Sequence, residues 1–255
     1  MRTATQQRHQ SILDLLAKHG QVQVEALSKE FAISEVTIRK DLRVLEAESK
    51  LVRRFGGAVS MQPEKAQNES ENLSNRKKSI ACLAASLIEP GDRIVLDSGS
   101  TVLALLPFLV DRSDLIIMTN SLTVANQLTQ SDQPPKVLCC GGTWDQQSRS
   151  FQGQMAEKML AAYDFDLAFI GAAGLDSARG TTTFNELTNL SQVMAANSAR
   201  VVIMAEANKL DRRIPNVELP WTSINTLITD ARMSSASIQQ ITQHGVEVLR
   251  AQLED

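Results

Sequence analysis

The stretch Ser34-Glu35-Val36-Thr37-Ile38-Arg39-Lys40-Asp41-Leu42-Arg43-Val44-Leu45-Glu46 constrains this chain most, because it reads as a helix built to face two ways. At about 100° per residue, Ile38, Leu42 and Leu45 fall within roughly a quarter-turn of each other, while Val36, Lys40, Arg43 and Ala47 point roughly opposite. One face packs and the other is cationic. Ser34 stands where an N-cap hydroxyl satisfies an orphan amide of the first turn, and Thr37 and Arg39 flank the outward face. Arg and Lys on an exposed helix, with small polar side chains at its N-terminal end, suit a DNA major groove. Taken alone, the same pattern also serves an ordinary amphipathic surface helix with a solvated charged face.

The flanking segments favour the first reading. Upstream, Ile12, Leu15, Leu16 and His19 follow helical spacing as far as Gly20, then Val22 and Val24 lead into a short helix over 25–31. The link Ala32-Ile33-Ser34 has the length of a helix-turn-helix turn. Downstream, residues 50–59 read as two short strands joined around Gly56-Gly57, the pattern of a wing. The predicted DNA-reading set is therefore Ser34, Val36, Thr37, Arg39, Lys40 and Arg43 on the helix, with Arg53 and Arg54 on the wing placed for phosphates or a minor groove.

The formal net charge of −3 over 255 residues looks wrong for a DNA binder until it is split. Basic residues exceed acidic ones by three up to residue 60, and acidic residues exceed basic ones by six thereafter. A modest local surplus suits a chain that presents two or more reader domains together, as a homo-oligomer (dimer or tetramer). No apolar run is long enough to span a bilayer and the polar N-terminus lacks a signal-peptide core, so the expected location is cytoplasmic, with no membrane partner. Cys82, Cys139 and Cys140 make no disulfide framework, and the adjacent pair would point to opposite faces of a strand. His9, His19 and His244 lack metal-ligand spacing, so neither metal nor cofactor is expected.

The expected domains are a winged helix-turn-helix over 1–60, a polar linker over 61–75 and a second domain over 76–255. The second begins with a predicted helix over 79–88. Short apolar runs follow at 94–96, 115–118, 137–139, 167–170, 201–205, 227–228 and 246–249, separated by helix-length segments. Such runs imply an α/β fold, a mainly parallel sheet with helices on both faces, in which ligands bind beyond the carboxyl ends of the strands.

That rule selects the loops. Asp97, Ser98, Gly99, Ser100 and Thr101 follow the first strand and lead into a predicted helix over 102–109, an arrangement suited to a phosphate or to a simple helix cap. Asn120 follows the second strand and Gly142 the third; Asp176 lies beyond the fourth, and Glu186 sits in a Gly180-Thr181-Thr182-Thr183-Phe184-Asn185-Glu186 segment read as entering a helix. Asp176 and Glu186 are placed to accept hydroxyl hydrogen bonds or to cap a turn and a helix. Lys209, past the fifth strand, pairs with a phosphate or sugar hydroxyl, or is a solvated lysine.

Its Thr-Ile-Arg-Lys-Asp-Leu core, its Arg-Arg-Phe-Gly-Gly-Ala wing and these loops make the chain similar to bacterial transcription regulators of the DeoR family, from about residue 6 to residue 250. The resemblance implies a repressor of a carbohydrate operon. It implies a second domain similar in fold to ribose-5-phosphate isomerase and sensing a phosphorylated sugar or sugar alcohol, with glucitol-6-phosphate the first candidate. It carries a phosphate role to Ser98, Gly99, Ser100 and Thr101, and an effector-side role to Asn120, Gly142, Asp176, Glu186 and Lys209. One departure is Ala173, where many members carry a polar residue.

Two other functions are open to such a chain. A sugar-phosphate isomerase needs a carboxylate base with acidic partners, and the loop 171–176 holds only Asp176, so no catalytic residue is assigned. A DNA-architectural protein without a ligand leaves the polar strand-end loops without purpose.

Overall fold

A computed structural model describes residues 4–19, 21–47, 50–54, 57–60, 75–146, 148–183, 189–210, 212 and 214–252. The chain divides into two compact units, residues 1–69 and 70–255. Residues 61–74, which hold nearly all of the expected linker, lie outside the described residues.

In the first unit, α1 (Ala4–His19), β1 (Gln21–Gln23), α2 (Val24–Phe31) and α3 (Glu35–Ala47) precede a hairpin of β2 (Leu51–Arg54) and β3 (Gly57–Ser60). The strand β1 was not anticipated, since three residues are too few to show a period; antiparallel pairing with β3 creates it, in the order β1-β3-β2. Gly57 is required where these strands meet, because a Cβ there would collide with the Val22 carbonyl oxygen. Ile12 and Leu16 of α1, Leu27 of α2 and Ile38, Leu42 and Leu45 of α3 form the core with Leu51 and Ala58.

One charge lies within this packing. Asp41, on α3, is buried and accepts hydrogen bonds from Arg8 Nε (2.7 Å) and Arg8 Nη2 (3.1 Å), while His9 Nε2 lies 3.0 Å from Oδ1. Burial pushes the Asp41 carboxyl up, but Arg8 and His9 outweigh it and hold the group below its ordinary range. The ion pair thereby fixes α3 against α1.

The second unit contains, in chain order, α4 (Asn75–Ala85), β4 (Arg93–Leu96), α5 (Ser100–Leu103), β5 (Ile116–Thr119), α6 (Leu122–Thr129), β6 (Lys136–Cys139), β7 (Thr143–Asp145), β8 (Ser150–Gln152) and α7 (Gln154–Ala161). There follow β9 (Phe165–Gly171), β10 (Gly174–Asp176), β11 (Gly180–Thr183), α8 (Asn189–Ala196), β12 (Ser198–Met204), β13 (Asn216–Pro220), β14 (Thr226–Asp230), α9 (Ser235–Thr242) and β15 (Glu247–Ala251). Seven strands form one sheet in the order β15-β14-β12-β9-β4-β5-β6, every neighbouring pair parallel. These are the seven apolar runs of the sequence.

Alternation along the central strands feeds two cores. Val95, Met118, Ala168, Ile170, Val201 and Ile203 face one side, with Leu160 of α7, Met194 of α8 and Ile241 of α9. Ile94, Leu96, Ile117, Phe169, Val202 and Met204 face the other, with Ile80 of α4, Val102 of α5 and Val124 of α6. Burial on both faces is what parallel strands require.

Three sequence expectations need correction. The first helix is α4 (Asn75–Ala85), not 79–88, so Arg76 and Lys77 are helical. The helix expected over 102–109 is the single turn α5, followed by a 3-10 turn at Leu106–Phe108, because Pro107 cannot donate an amide and disfavours helical backbone before it. Gly180–Thr183 is a strand rather than a helix entrance, and β10-β11-β13 make a small antiparallel sheet. Gly180 sits there at φ +134°, where a Cβ would strike the Leu219 carbonyl oxygen. Trp221, fully buried, anchors that sheet through Nε1 donated to the carbonyls of Asp176 and Ser177 (3.0 and 3.1 Å).

Replacing Asp41 with Ala should lower the stability of the first unit by about 2–3 kcal/mol, somewhat less than for a fully buried pair because Arg8 is partly exposed. Hydrogen exchange of the α1 and α3 amides in the full chain measures this. Since the folded carboxyl titrates below its unfolded value, the stabilisation is complete above about pH 4 and is lost as the pH falls further. An acid limb identical in D41A and the parent chain would contradict the assignment.

Candidate functional site

On α3 the packed and cationic faces fall as the spacing predicts. Ile38, Leu42 and Leu45 are buried, whereas Arg39, Lys40 and Arg43 are exposed and Val36 keeps 73% of its surface accessible. The Thr37 amide donates to Ser34 Oγ (3.2 Å), the capping bond expected at this position. Arg39 donates to Glu35 across one turn (2.7 Å). The turn between α2 and α3 passes through Ala32 at φ 51°, a left-handed residue closing the helix with its amide directed to the Lys29 carbonyl. On the wing, Arg53 and Arg54 occupy the last two positions of β2, opposite Ala58 and Gly57; their side chains, like Phe55 and Gly56, lie outside the described residues.

The sheet of the second unit reverses its direction of growth between β4 and β9. From β4 the chain adds β5 and β6 on one side; β9, β12, β14 and β15 then extend the other. Ligands of open α/β sheets bind at such a reversal, beyond the carboxyl ends of the strands. Here the loops after β4 and β9 pack together: a Cβ on Gly99 or on Gly171 would lie 3.4 Å from the other's Cα.

Residues from distant parts of the chain meet at this edge. Register sets Leu96 beside Thr119, so Asp97 and Asn120 are the first residues past the paired ends of β4 and β5. Asp97 Oδ2 accepts the Gly171 amide (3.3 Å), and Ser98 Oγ lies 3.4 Å from Asp97 Oδ1. Burial pushes the Asp97 carboxyl above its ordinary range, against the amides of Ser98, Gly171 and Gly99. Lys77 of α4 donates to Ser100 Oγ (3.0 Å), and Lys209 donates to the Ala172 carbonyl (2.6 Å).

A second carboxyl, that of Glu218, lies on β13. It accepts Ser191 Oγ (2.7 Å) and Thr181 Oγ1 (3.3 Å). Its carboxyl is pushed up to about 7, first by burial and then by the charge of Asp97, with Lys209 acting in the opposite sense. Burial thus raises both carboxyls, and the charge of Asp97 adds to the shift of Glu218.

Asn120 and Thr101 stand out by what they lack. Both are fully buried, and neither the Asn120 amide atoms nor Thr101 Oγ1 has a hydrogen-bond partner among the described residues. Leaving such groups unpaired costs about 1–3 kcal/mol each. Their neighbours are structurally engaged: Thr119 donates to the Leu96 carbonyl, and Ser121 caps α6.

The remaining predicted residues do not join the cluster. Asp176 is occupied by its own turn, accepting the amides of Ala178 and Arg179 and the Arg179 guanidinium (2.7 Å), the capping role left open by the sequence. Gly142, at φ +112°, is needed where a Cβ would come 2.7 Å from the Gln152 carbonyl oxygen, a structural demand. Glu186 lies outside the described residues. Lys77 and Glu218 went unpredicted. A basic run, Arg76-Lys77-Lys78, marks the first in hindsight, whereas nothing local marks a glutamate in a short strand ending in Pro220.

Arg76 donates to Glu206 (3.1 Å), which also faces Arg232 at 3.8 Å, and Arg232 pairs with Asp230 (2.7 Å). These pairs tie the start of α4 to the ends of β12 and β14. Cys139 is exposed and Cys140 buried, as their adjacency on an extended strand predicts, and burial pushes the Cys140 thiol up to about 12. Among the described residues, no group of His, Cys, Asp and Glu is arranged to hold a metal ion, and no helix is long and apolar enough to cross a membrane.

Residues 8–64 match the DeoR-like helix-turn-helix domain, and residues 72–231 match the DeoR C terminal sensor domain. The chain belongs to the DeoR family. It is a DNA-binding transcriptional regulator rather than an enzyme. Similar members include a protein assigned as transcriptional repressor of the aga operon in Escherichia coli O157:H7, at 34% identity over 97% of this chain and 94% of that one. The repressor GlcR of Bacillus subtilis is 30% identical over 96% and 95% of the two chains. The lactose phosphotransferase system repressor of Lactococcus lactis is 31% identical over 93% and 95%. Among solved structures, ribose 5-phosphate isomerase A of Methanocaldococcus jannaschii is similar over about half of each chain (52% and 53%), at TM-score 0.39 and 19% identity. Translation initiation factor eIF-2B of Pyrococcus horikoshii OT3 is similar over 86% of each, at TM-score 0.44 and 15% identity. Neither likeness bears on function.

For this DeoR-family regulator, the raised Glu218 carboxyl has a thermodynamic signature. A group that titrates higher folded than unfolded contributes stability that is present below the unfolded carboxylate range and lost as the pH rises toward 7. The melting temperature of Glu218→Gln relative to the parent should therefore rise between pH 5 and pH 8. A pH-independent difference would remove Glu218 from the buried carboxyl pair.

Proposed function

We propose that this regulator represses an operon for the use of a sugar or sugar alcohol. In this reading it acts in the cytoplasm as a homo-oligomer, a dimer or tetramer, and leaves operator DNA when a phosphorylated sugar or sugar alcohol binds its sensor domain; glucitol-6-phosphate is the first candidate. The observation that supports the reading is that Lys77 bonds Ser100 and Lys209 bonds the Ala172 carbonyl at the strand ends where the sheet reverses, while Asn120 and Thr101 lie buried there without hydrogen-bond partners among the described residues. Cations and hydroxyls suit a phosphate, and unpaired buried amides suit a ligand rich in hydroxyl groups. The helix-dipole contribution expected from the sequence is small, since α5 is a single turn, so Lys77 takes the larger part in anion recognition. The names of the lactose and aga relatives agree with a role in carbohydrate use.

The coupling acts through α4, which carries Lys77 against Ser100 and Arg76 against Glu206 and is the first described element after residues 61–74. A ligand shifts the equilibrium only by its differential affinity for two arrangements, typically about 1–3 kcal/mol, or about 5- to 150-fold in operator affinity. Operator titrations with and without phosphorylated sugars and sugar alcohols test this. The Lys77→Glu chain should bind operator as the parent does and ignore the effector; a normal response would move the anion site elsewhere.

DNA reading has its own test. Arg39→Ala and Arg43→Ala should each cost about 1–3 kcal/mol where the side chain reads a base edge, and should flatten the salt dependence by about one unit where it holds a phosphate. Operator affinity intact in the double variant would refute the groove-facing assignment of α3. Sedimentation of a monomer that still protects operator tightly would refute the oligomer.

A further inference from the structure

We propose that the first turn of α4, residues 75–79, is a latch that opens while the rest of the helix stays packed. Glu206 makes it reversible by serving two guanidiniums in turn, Arg76 when the turn is closed and Arg232 when it is open. The inference does not depend on the sugar-phosphate reading; it concerns how the sensor unit joins the chain that precedes it.

The sequence builds this turn weakly. Arg76, Lys77 and Lys78 place cations at the positive end of the helix dipole, and no acidic residue in the first turn offsets them. Ser79 Oγ donates to the Asn75 carbonyl (3.0 Å), a back-bond that bends a helix and slightly destabilises it. Apolar packing begins only at Ile80, which is buried with Ala81 and Ala84, whereas Asn75 and Lys78 are exposed. The contacts that hold the turn are polar, among them Lys77 on Ser100 (3.0 Å) and Arg76 on Glu206 (3.1 Å).

Glu206 is buried, so opening the turn without a replacement for Arg76 would strand a charge in the interior. The structure holds that replacement in place. Arg232 Nη2 lies 3.8 Å from the same Glu206 Oε1 that Arg76 bonds, and Asp230 fixes its guanidinium by accepting Nε (2.7 Å) and Nη2 (3.1 Å). Asp230 also accepts the Ala207 amide (2.8 Å), which ties the residue after Glu206 to the same carboxylate. A shift of about 1 Å brings Glu206 to Arg232 at charge-assisted bonding distance. Two guanidiniums beside one carboxylate also repel each other, so Arg232 weakens the closed turn as well as receiving Glu206 in the open one. Each residue that leaves the helix for extended chain adds about 2 Å of reach. Opening therefore lengthens the connection between the units of residues 1–69 and 70–255.

The test is residue-resolved hydrogen exchange of the full-length chain. Amides 79–82, whose helical acceptors are the carbonyls of 75–78, report the latch; amides 83–85 report the rest of α4, and those of β9 report global stability. Arg232→Gln should slow amides 79–82 and Glu206→Gln should speed them, each by about threefold, the range for a partly exposed ion pair. In the E206Q background, R232Q should add nothing. Slowing on removal of a cation is the outcome that a merely structural ion pair does not give. Unchanged or faster exchange in R232Q with β9 unaltered, unchanged exchange in E206Q, or equal rates for 79–82 and 83–85 in the parent would each overturn the proposal. If β9 also speeds in R232Q, salt decides: screening should speed amides 79–82 more in the parent than in E206Q, and an equal response in the two chains would overturn the latch.

Discussion

The reversal of strand order between β4 and β9 is the constraint on which the sensor unit depends. Parallel pairing sends the carboxyl ends of all seven strands to one edge of the sheet, and the reversal falls at a single place along that edge. Everything polar and buried then follows from register. Pairing of Leu96 with Thr119 ends β4 and β5 together, just before Asp97 and Asn120, and pairing of Met204 with Gly171 brings the loop holding Lys209 to Ala172. The interior of the sheet is apolar on both faces, so the edge is where the chain keeps groups that need a partner. The accessory sheet β10-β11-β13, fastened by Trp221, supplies a carboxyl that the main sheet does not have.

The DNA-reading unit solves a different problem, that of holding a short helix rigid while leaving one side of it free. Three apolar residues on α3 are modest anchorage for a thirteen-residue helix. Asp41 adds a fourth attachment that is directional, because a carboxylate gripped by a guanidinium and an imidazole fixes the rotation of α3 about its axis as well as its distance from α1. Rotation determines which side chains face outward. The sequence presents Asp41 as one more charge on an amphipathic helix, and only the approach of Arg8 and His9 from α1 shows its purpose.

Much of the architecture could be read from the chain because buried parallel strands are continuous apolar runs, and all seven were visible as such. Elements created by pairing were not visible. Gln21–Gln23 and the Thr-rich Gly180–Thr183 have no hydrophobic period, and their strand character comes from the partner across the ladder. Helix length failed at α5, where the apolar run continues but Pro107 stops it. In the candidate site, the strand-end positions of Asp97, Ser100, Thr101, Asn120 and Lys209 were legible because strand ends are predictable places. Asp176 and Gly142 were placed by the same logic, yet their local geometry demands them for a turn and a close approach. Lys77 and Glu218 acquire meaning only through convergence of distant segments, which spacing within one segment does not encode.

The Glu35–Arg39 pair on α3 gives this surface a resting arrangement. An exposed pair one turn apart is worth only a few tenths of a kcal/mol, and both partners keep about half of their surface in water. Such a contact is too weak to withhold Arg39 from DNA, but strong enough to bias the long side chain along the helix rather than letting it sample all directions. In the proposed groove-facing arrangement, the entropy that Arg39 loses on reaching a base is thereby reduced in advance, and an acceptor of better geometry displaces Glu35 at little cost. The same glutamate repels any phosphate that approaches without supplying that geometry. In that proposed arrangement a single carboxylate on the outer face acts as a gatekeeper for the guanidinium beside it, favouring well-formed encounters with DNA over casual ones.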